Sequence, residues 1–310
     1  MSDNARVSVI IPVDAARGFG ETALRAVLAS DLLELEVILV ENGPTDRCDA
    51  LVAATQDSRV LAVRLGSGRG VLRARNVAIA RARAPYVAFL DPEDVLKPNT
   101  LSAAVRALDG NPEAGFAFTD FEWVSKEGMV IRSRAISGSP SARTLVGEPL
   151  DGHWRLIKQV HLARALLHEN LMETSGLVVR RQLFTEIGPF NEQAGCCADL
   201  DLWFRLAHRC DALYSAEVGY SRRGGPGHNA SGTRAASEDC IAVLRRERSR
   251  WNERAARRQL DRRIAQNLAS IAYDERRRRH RLRSTATFAY AFATCPDVRW
   301  LGGMLGSIVC

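Results

Sequence analysis

The sequence predicts an α/β protein: a doubly wound, mainly parallel sheet followed by a helical C-terminal extension. Three observations predict it. Short apolar runs alternate with helical patterns through the first hundred residues, joined by short connections, and that alternation winds a parallel sheet. One apolar run, Tyr86-Val87-Ala88-Phe89-Leu90, stops abruptly in Asp91-Pro92-Glu93-Asp94, which places a strand end at the lip of a sheet because unpaired carboxylates cannot stay in a core. The basic charge is local: of a net +7, residues 240 to 283 alone hold 15 arginines against five acids. It therefore belongs to one segment and not to the sheet.

The elements follow in order. Arg6 to Val13 reads as a central strand that ends at its proline, and Gly18 to Ala29 as a helix with Ala23, Leu24, Val27 and Leu28 on one face. Leu35 to Val40 is a second strand, closed by the turn chemistry of Glu41-Asn42-Gly43-Pro44-Thr45-Asp46. A helix near Arg47 to Thr55, a strand at Val60 to Leu65 and a helix from Val71 to Arg83 come next. The loop Gly66-Ser67-Gly68-Arg69-Gly70 before that helix has Val71 where a dinucleotide fingerprint needs its last glycine, which disfavours a dehydrogenase. Pro98 to Leu108 is helical, and Gly115 to Val124 is a strand with Asp120 and Glu122 on one face. Residues 125 to 150 read as irregular, Trp154 to His168 as helical and Gly176 to Val179 as a strand. A helix over Cys196 to Arg209, beginning near Ala198, and a strand at Ala212 to Tyr220 lead into a glycine-rich loop, Gly224 to Gly232, that contains His228. Ser237 to Arg283 is one long helical pattern.

At 310 residues the chain can hold one large domain plus an extension, or two modest domains, and 46% hydrophobic and 25% charged residues fit a globular protein. No apolar run reaches 18 residues, and Met1-Ser2-Asp3-Asn4 lacks the basic and apolar regions of a signal peptide. The expectation is a cytoplasmic protein. Seven scattered cysteines without a C-x-x-C pair argue against a disulfide framework or structural zinc, and Cys196-Cys197 reads as packing.

The chemistry concentrates in a few acids. In open α/β sheets ligands bind outside the carboxyl ends of the strands. Asp91 and Glu93, two apart on an extended segment, point the same way and offer hard oxygens suited to Mg²⁺ or Mn²⁺. The competing account is a solvated loop in which Asp94 caps the next helix. Asp199 and Asp201 fall in the first turn of their helix, where the dipole and free N–H groups favour acids on capping grounds alone. His228 is a lone loop histidine, a weak candidate for a third metal ligand or a phosphate contact. Arg222 and Arg223 either serve a diphosphate or are solvated.

Taken in order, Val7 to Val13, Val37 to Asp46, Ala74-Arg75-Asn76, Phe89 to Asp94, Arg180-Arg181 with Ile187-Gly188-Pro189-Phe190-Asn191, and Asp199 to Ala207 resemble family 2 glycosyltransferases of the GT-A fold over roughly residues 6 to 232. The resemblance implies a nucleotide-sugar donor. It implies nucleotide contacts at Pro12, Val13, Glu41, Arg75 and Asp91, with Glu41 facing the base. It also implies a cation held by Asp91 and Glu93, and Asp199 as the general base of a single displacement with inversion. The chain departs from the family pattern at Glu41-Asn42 for Asp-Asp, at Glu93 for the second Asp, at Ala198 for an acid before the base, and at Asp14-Ala15 for Tyr-Asn. Those departures leave room for a catalytically weak relative acting as a binding or scaffold subunit. A nucleotidyltransferase would need a better phosphate loop than Arg17-Gly18-Phe19-Gly20.

The expected organisation is a catalytic domain over residues 1–235 and a basic helical extension over 236–310. The acceptor class is a saccharide, a lipid-linked saccharide or a small molecule. With Ile241, Leu244, Trp251, Leu260, Ile264 and Leu268 among its arginines, the extension reads equally as a peripheral contact to an anionic membrane or as helices with a solvated charged face. Nucleic acid is not expected, because the extension's basic helices lack interleaved aromatics for stacking.

Overall fold

The computed structural model describes residues 4–13, 20–41, 43, 47–66, 70–224 and 233–309. His228, Asn42 and Asp14-Ala15 lie outside them. The chain forms two compact units: Met1–Ala165, Leu171–Asn191 and Arg205–Gly225 make the first, and Leu166–Asn170, Glu192–Phe204 and Pro226–Cys310 the second.

In chain order the elements are β1 (Val7–Val13), α1 (Glu21–Leu28), β2 (Leu35–Glu41), α2 (Arg47–Thr55), β3 (Val60–Arg64), α3 (Val71–Arg81), β4 (Tyr86–Phe89), β5 (Val95–Leu96), α4 (Thr100–Gly110), β6 (Ala114–Val124), β7 (Val130–Arg132), β8 (Glu148–Pro149), β9 (Trp154–Ile157), α5 (Gln159–His168), β10 (Val178–Arg180), α6 (Leu183–Ile187), α7 (Ala198–Ala207), β11 (Asp211–Arg223), α8 (Arg234–Arg248), α9 (Arg254–Arg277), α10 (Arg281–Thr294) and α11 (Val298–Val309).

The first unit carries one sheet in the order β3-β2-β1-β4-β10-β6-β11-β9-β8, with β5 on β11 and β7 on β6. The half made by β3, β2, β1 and β4 is parallel throughout. Every residue of β1 and β2 is buried, as expected for strands covered on both faces. Beyond β4 the sheet is mixed: β10 runs antiparallel to both β4 and β6, and β11 is parallel to β6 but antiparallel to β9. Phe89 of β4 packs edge-on against Phe184 and Phe190, which fixes the segment around α6 on this sheet.

Two regions differ from the sequence expectation. Trp154 to Ile157 is a strand and not the start of a helix. Leu156 and Ile157 are buried against β11, and Asp211 accepts the Gln159 N–H at 2.9 Å, so the helix begins only there. The stretch 125–150 is less irregular than expected. It contains β7, a 3-10 turn at Pro140–Thr144 capped by Ser139, and β8. Asp120 of β6, wholly buried, organises it by accepting N–H groups of Ile136 and Ser137 at 2.8 Å and the Ser137 hydroxyl.

In the second unit the single helical pattern resolves into α8, α9 and α10. Ile241, Leu244, Leu260, Ile264 and Leu268 are buried; this stripe is the core of the helical unit. Glu275, also buried, accepts Arg234 Nη1 at 2.8 Å and the Thr287 hydroxyl at 2.8 Å, tying α8, α9 and α10 together. Helix α9 closes with a paired Schellman arrangement, His280 N–H to Glu275 O and Arg279 N–H to Arg276 O, both 2.9 Å. It carries Arg279 at φ 63° where glycine is usual. The packing role expected for Cys197 is corrected: Cys197 is bonded to Cys240 across 43 residues of sequence, with Cα atoms 5.3 Å apart. Scattered spacing carries no signal for one long-range bridge between residues that only the fold brings together.

Glu36 on β2 gives the first unit a measurable pH dependence. It is buried and accepts the Ser8 hydroxyl of β1 at 2.7 Å and Arg83 Nη2 at 2.6 Å. Burial alone would raise its pKa, but these donors outweigh it and hold the carboxyl below its ordinary value. A depressed carboxylate stabilises the fold above its unfolded pKa and loses that contribution as pH falls through the folded value. Glu36→Gln is expected to lower unfolding free energy at pH 7 by about 1–3 kcal/mol. The variant should also lose less stability than wild type on going from pH 5 to pH 3, as read from urea denaturation at each pH.

Candidate active site

The carboxyl ends of the parallel strands share one edge of the sheet. There Val13 is in register with Glu41 and Pro12 with Val40, while the Leu90 N–H donates to Ile10 O at 3.0 Å. The strand order runs from β1 to β2 and β3 on one side and to β4 on the other. The topological switch point thus lies between β1 and β4, where open sheets leave a crevice. Pro12, Val13, Glu41 and Asp91 are brought to that edge by three adjacent strands.

Asp91 to Asp94 is not extended. The Asp94 N–H closes on Asp91 O at 3.0 Å, which makes a four-residue turn with Pro92 at the position that favours it. Asp91 and Glu93 are half-buried, and Asp94 is buried. Asp91 Oδ1 accepts Arg75 Nη2 at 2.5 Å, and the guanidinium of Arg75, itself buried on α3, also lies 5.3 Å from the centre of the Phe190 ring. Two residues predicted as separate nucleotide contacts are therefore an ion pair.

Asp94 does not cap the next helix, whose first turn begins at Thr100 behind Asn99. It turns inward and accepts the Ser175 hydroxyl at 2.6 Å, while Ser175 Oγ accepts the Asp91 N–H at 3.0 Å. The Asp94 Oδ1 atom is buried with no hydrogen-bond partner. Burial, reinforced by the charge of Asp91, pushes the Asp94 carboxyl up to about 8 against the pull of Ser175 and Arg222. Sequence reasoning missed Ser175: its only signal is a position three residues before the apolar strand β10, and nothing local says that this strand inserts beside β4.

Other candidates are committed elsewhere. Glu41 is buried, and its Oε1 accepts the Arg47 N–H at 2.9 Å at the start of α2. Glu122 accepts Lys97 Nζ at 2.7 Å and the Ser221 hydroxyl at 2.6 Å. Arg222 is mostly buried, with Nη1 2.5 Å from Glu173 and its guanidinium over the Trp123 ring. In the second unit, Asp199 stands half-buried in the first turn of α7. Its neighbour Asp201 is buried and accepts Arg246 Nη1 at 2.6 Å. Asp201 thus binds α7 to α8, and Cys197, two residues before Asp199, is fixed by its disulfide.

Among the described residues no three His, Cys, Asp or Glu side chains converge as a closed metal cage. A cation that also holds substrate phosphates needs only one or two carboxylates from the protein. Asp91 and Glu93, with the unpartnered Asp94 oxygen behind them, fit that donor set. Removing the hydroxyl that joins these acids should be visible in stability: Ser175→Ala is expected to cost about 1–3 kcal/mol, measured by urea denaturation. An unchanged midpoint would show that the Asp91–Ser175–Asp94 chain of hydrogen bonds is not needed to hold the turn.

The sequence profile of Glycosyl transferase family 2 matches residues 8–187, more than half the chain. Among curated relatives, the succinoglycan biosynthesis protein ExoO of Rhizobium meliloti is 34% identical over 123 residues, 39% of this chain and 35% of that protein. The putative teichuronic acid biosynthesis glycosyltransferase TuaG of Bacillus subtilis is 32% identical over 124 residues, 39% of this chain and 49% of that protein. The chain spans about a third of ExoO and about half of TuaG. Among solved structures, S. aureus TarS 1-349 in complex with UDP-GlcNAc superposes with a TM-score of 0.61 at 16% identity over 94% of this chain and 82% of that one. The Pyrobaculum calidifontis mannosyltransferase PcManGT in complex with GDP-Man and Mn²⁺ gives 0.58 at 17% identity over 98% and 79%. The fold is that of the GT-A glycosyltransferases, and on the profile match the chain belongs to glycosyl transferase family 2.

Proposed function

We propose that this protein moves a sugar from a nucleotide-diphosphate donor to an acceptor hydroxyl, with inversion, at the carboxyl edge of β1, β2 and β4. The observation that carries the reading is the turn Asp91–Asp94. It presents two half-buried carboxylates at the switch point of the sheet, beside the strand ends that bear Pro12, Val13 and Glu41. Asp91 and Glu93 would hold Mg²⁺ or Mn²⁺, which when bound supplies Lewis-acid neutralisation of the leaving diphosphate. Asp94 and Ser175 keep the Asp91 backbone in place, and Arg75 orients the Asp91 carboxylate. Asp199 takes the proton from the attacking hydroxyl, which then displaces the nucleotide in one step. Donor use is supported by the UDP-GlcNAc and GDP-Man held by the superposed structures. A saccharide or lipid-linked saccharide acceptor is supported by relatives named for succinoglycan and teichuronic acid synthesis.

A binding or scaffold role has one observation in its favour: Asp91 and Glu41 are already engaged by Arg75 and by the Arg47 N–H. Release of free nucleotide from a panel of nucleotide sugars with Mn²⁺ separates the readings. Release from at least one donor is expected, and none from any donor supports the scaffold. Asp199→Asn is expected to lower kcat by about 10²–10⁴ with donor KM little changed, and near-normal turnover would remove Asp199 from the base role. Glu93→Ala should instead raise the Mn²⁺ concentration required for donor binding, followed by calorimetry.

A further inference from the structure

The helical unit has a second apolar face that its core does not use. The stripe of α8 and α9 is buried, yet α11 turns Val298, Leu301 and Leu305 outward at 79%, 40% and 64% exposure, while Trp300, Gly303 and Ser307 face inward. Spacings of three and four residues put the exposed three on one side of the helix. Between Trp300 and Ser307 no charged residue occurs, and Gly302 continues the same outward side. A solvated helix face normally carries charge there, as α9 does.

This face ends against a cluster of cations. Arg276 to Arg279, Arg281 and Arg283 crowd the turn between α9 and α10, with Leu282 among them at 89% exposure. Ser284, the next residue, bonds Ser307 at 2.8 Å, and Arg276 Nη1 lies 2.9 Å from where a Cβ on Gly306 would stand. The arginine turn therefore adjoins the far end of α11. From residue 276 onward the sequence has one acid, Asp297, held by Arg299 at 2.6 Å, and of the cluster Arg278 pairs with Asp274 at 2.9 Å, so the turn keeps a net positive charge.

From this juxtaposition we propose that the outward side of α11 and the adjoining arginine turn form a docking surface for an anionic lipid bilayer. The three apolar side chains enter the boundary between headgroups and acyl chains, and the arginines meet lipid phosphates. Charge selects this occupant over a second copy, since pairing two such faces would bring two arginine clusters together. It is selected over nucleic acid because Val298, Leu301 and Leu305 offer a phosphate backbone nothing. The surface does not rest on the catalytic reading, and its test uses no donor.

Flotation of the full chain with vesicles of phosphatidylglycerol and phosphatidylcholine, against phosphatidylcholine alone, tests it. Binding to the anionic vesicles only, weakened by added salt, is expected. The pair Leu301→Asp and Leu305→Asp should reduce binding on the order of a hundredfold. The pair Arg277→Glu and Arg283→Glu should reduce it by about tenfold or more. All four positions are exposed, and matching circular-dichroism melts confirm that the variants fold. Equal binding to both vesicle types, or binding that the leucine variants leave unchanged, overturns the proposal. A dimer that the leucine variants dissolve, or retention on an oligonucleotide without vesicle binding, overturns it in favour of those partners.

Discussion

Three carboxyl groups in four residues at the end of a buried strand are the constraint on which the first unit depends. Like charges so close cannot all be ionised and dry. The chain separates them by environment. Asp91 is met by Arg75, Glu93 is half-buried, and Asp94 is turned into the interior beneath the hydroxyl of Ser175. Ser175 is delivered by the segment that leads into β10, the strand inserted antiparallel between β4 and β6. The insertion that makes the sheet mixed is therefore also what makes the acidic turn tolerable. Fold and candidate chemistry meet at one hydroxyl group.

Much of the parallel half was legible in the sequence, because a strand buried on both faces must be apolar along its length and a covering helix must not be. Val7 to Val13 and Leu35 to Val40 could hardly have been anything else. What stayed hidden was partnership. Trp154 to Ile157 can continue a helical face or extend against β11, and the choice is made by residues more than fifty positions away. Arg75 and Asp91 were each legible as site residues, yet their ion pair was not, since it forms only when α3 lies over the end of β4. The same holds for Ser175, for Cys197 with Cys240, and for the destination of the apolar stripe in α8 and α9.

The helical unit shows how one composition can serve two surfaces. Arginine is abundant in α8, α9 and α10, but several of these side chains are spent on acids: Arg234 on Glu275, Arg246 on Asp201, Arg248 on Asp261. Those pairs join helices to one another and explain why a strongly basic segment packs at all. After Glu275 the sequence holds one acid, Asp297, against seven arginines, so the net charge of the chain is concentrated there even though Arg278 pairs back to Asp274 and Arg299 to Asp297.

The backbone at Arg279 carries a consequence of its own. A side chain in the left-handed region costs roughly 1 kcal/mol that glycine would not, so the helix stop has been given up as a place for cheap robustness and used to keep a guanidinium at the bend. An engineer pursuing heat tolerance would choose glycine there. The gain would come with a missing cation at the corner where lipid phosphates are expected, and hardiness and adhesion would pull the same codon in opposite directions.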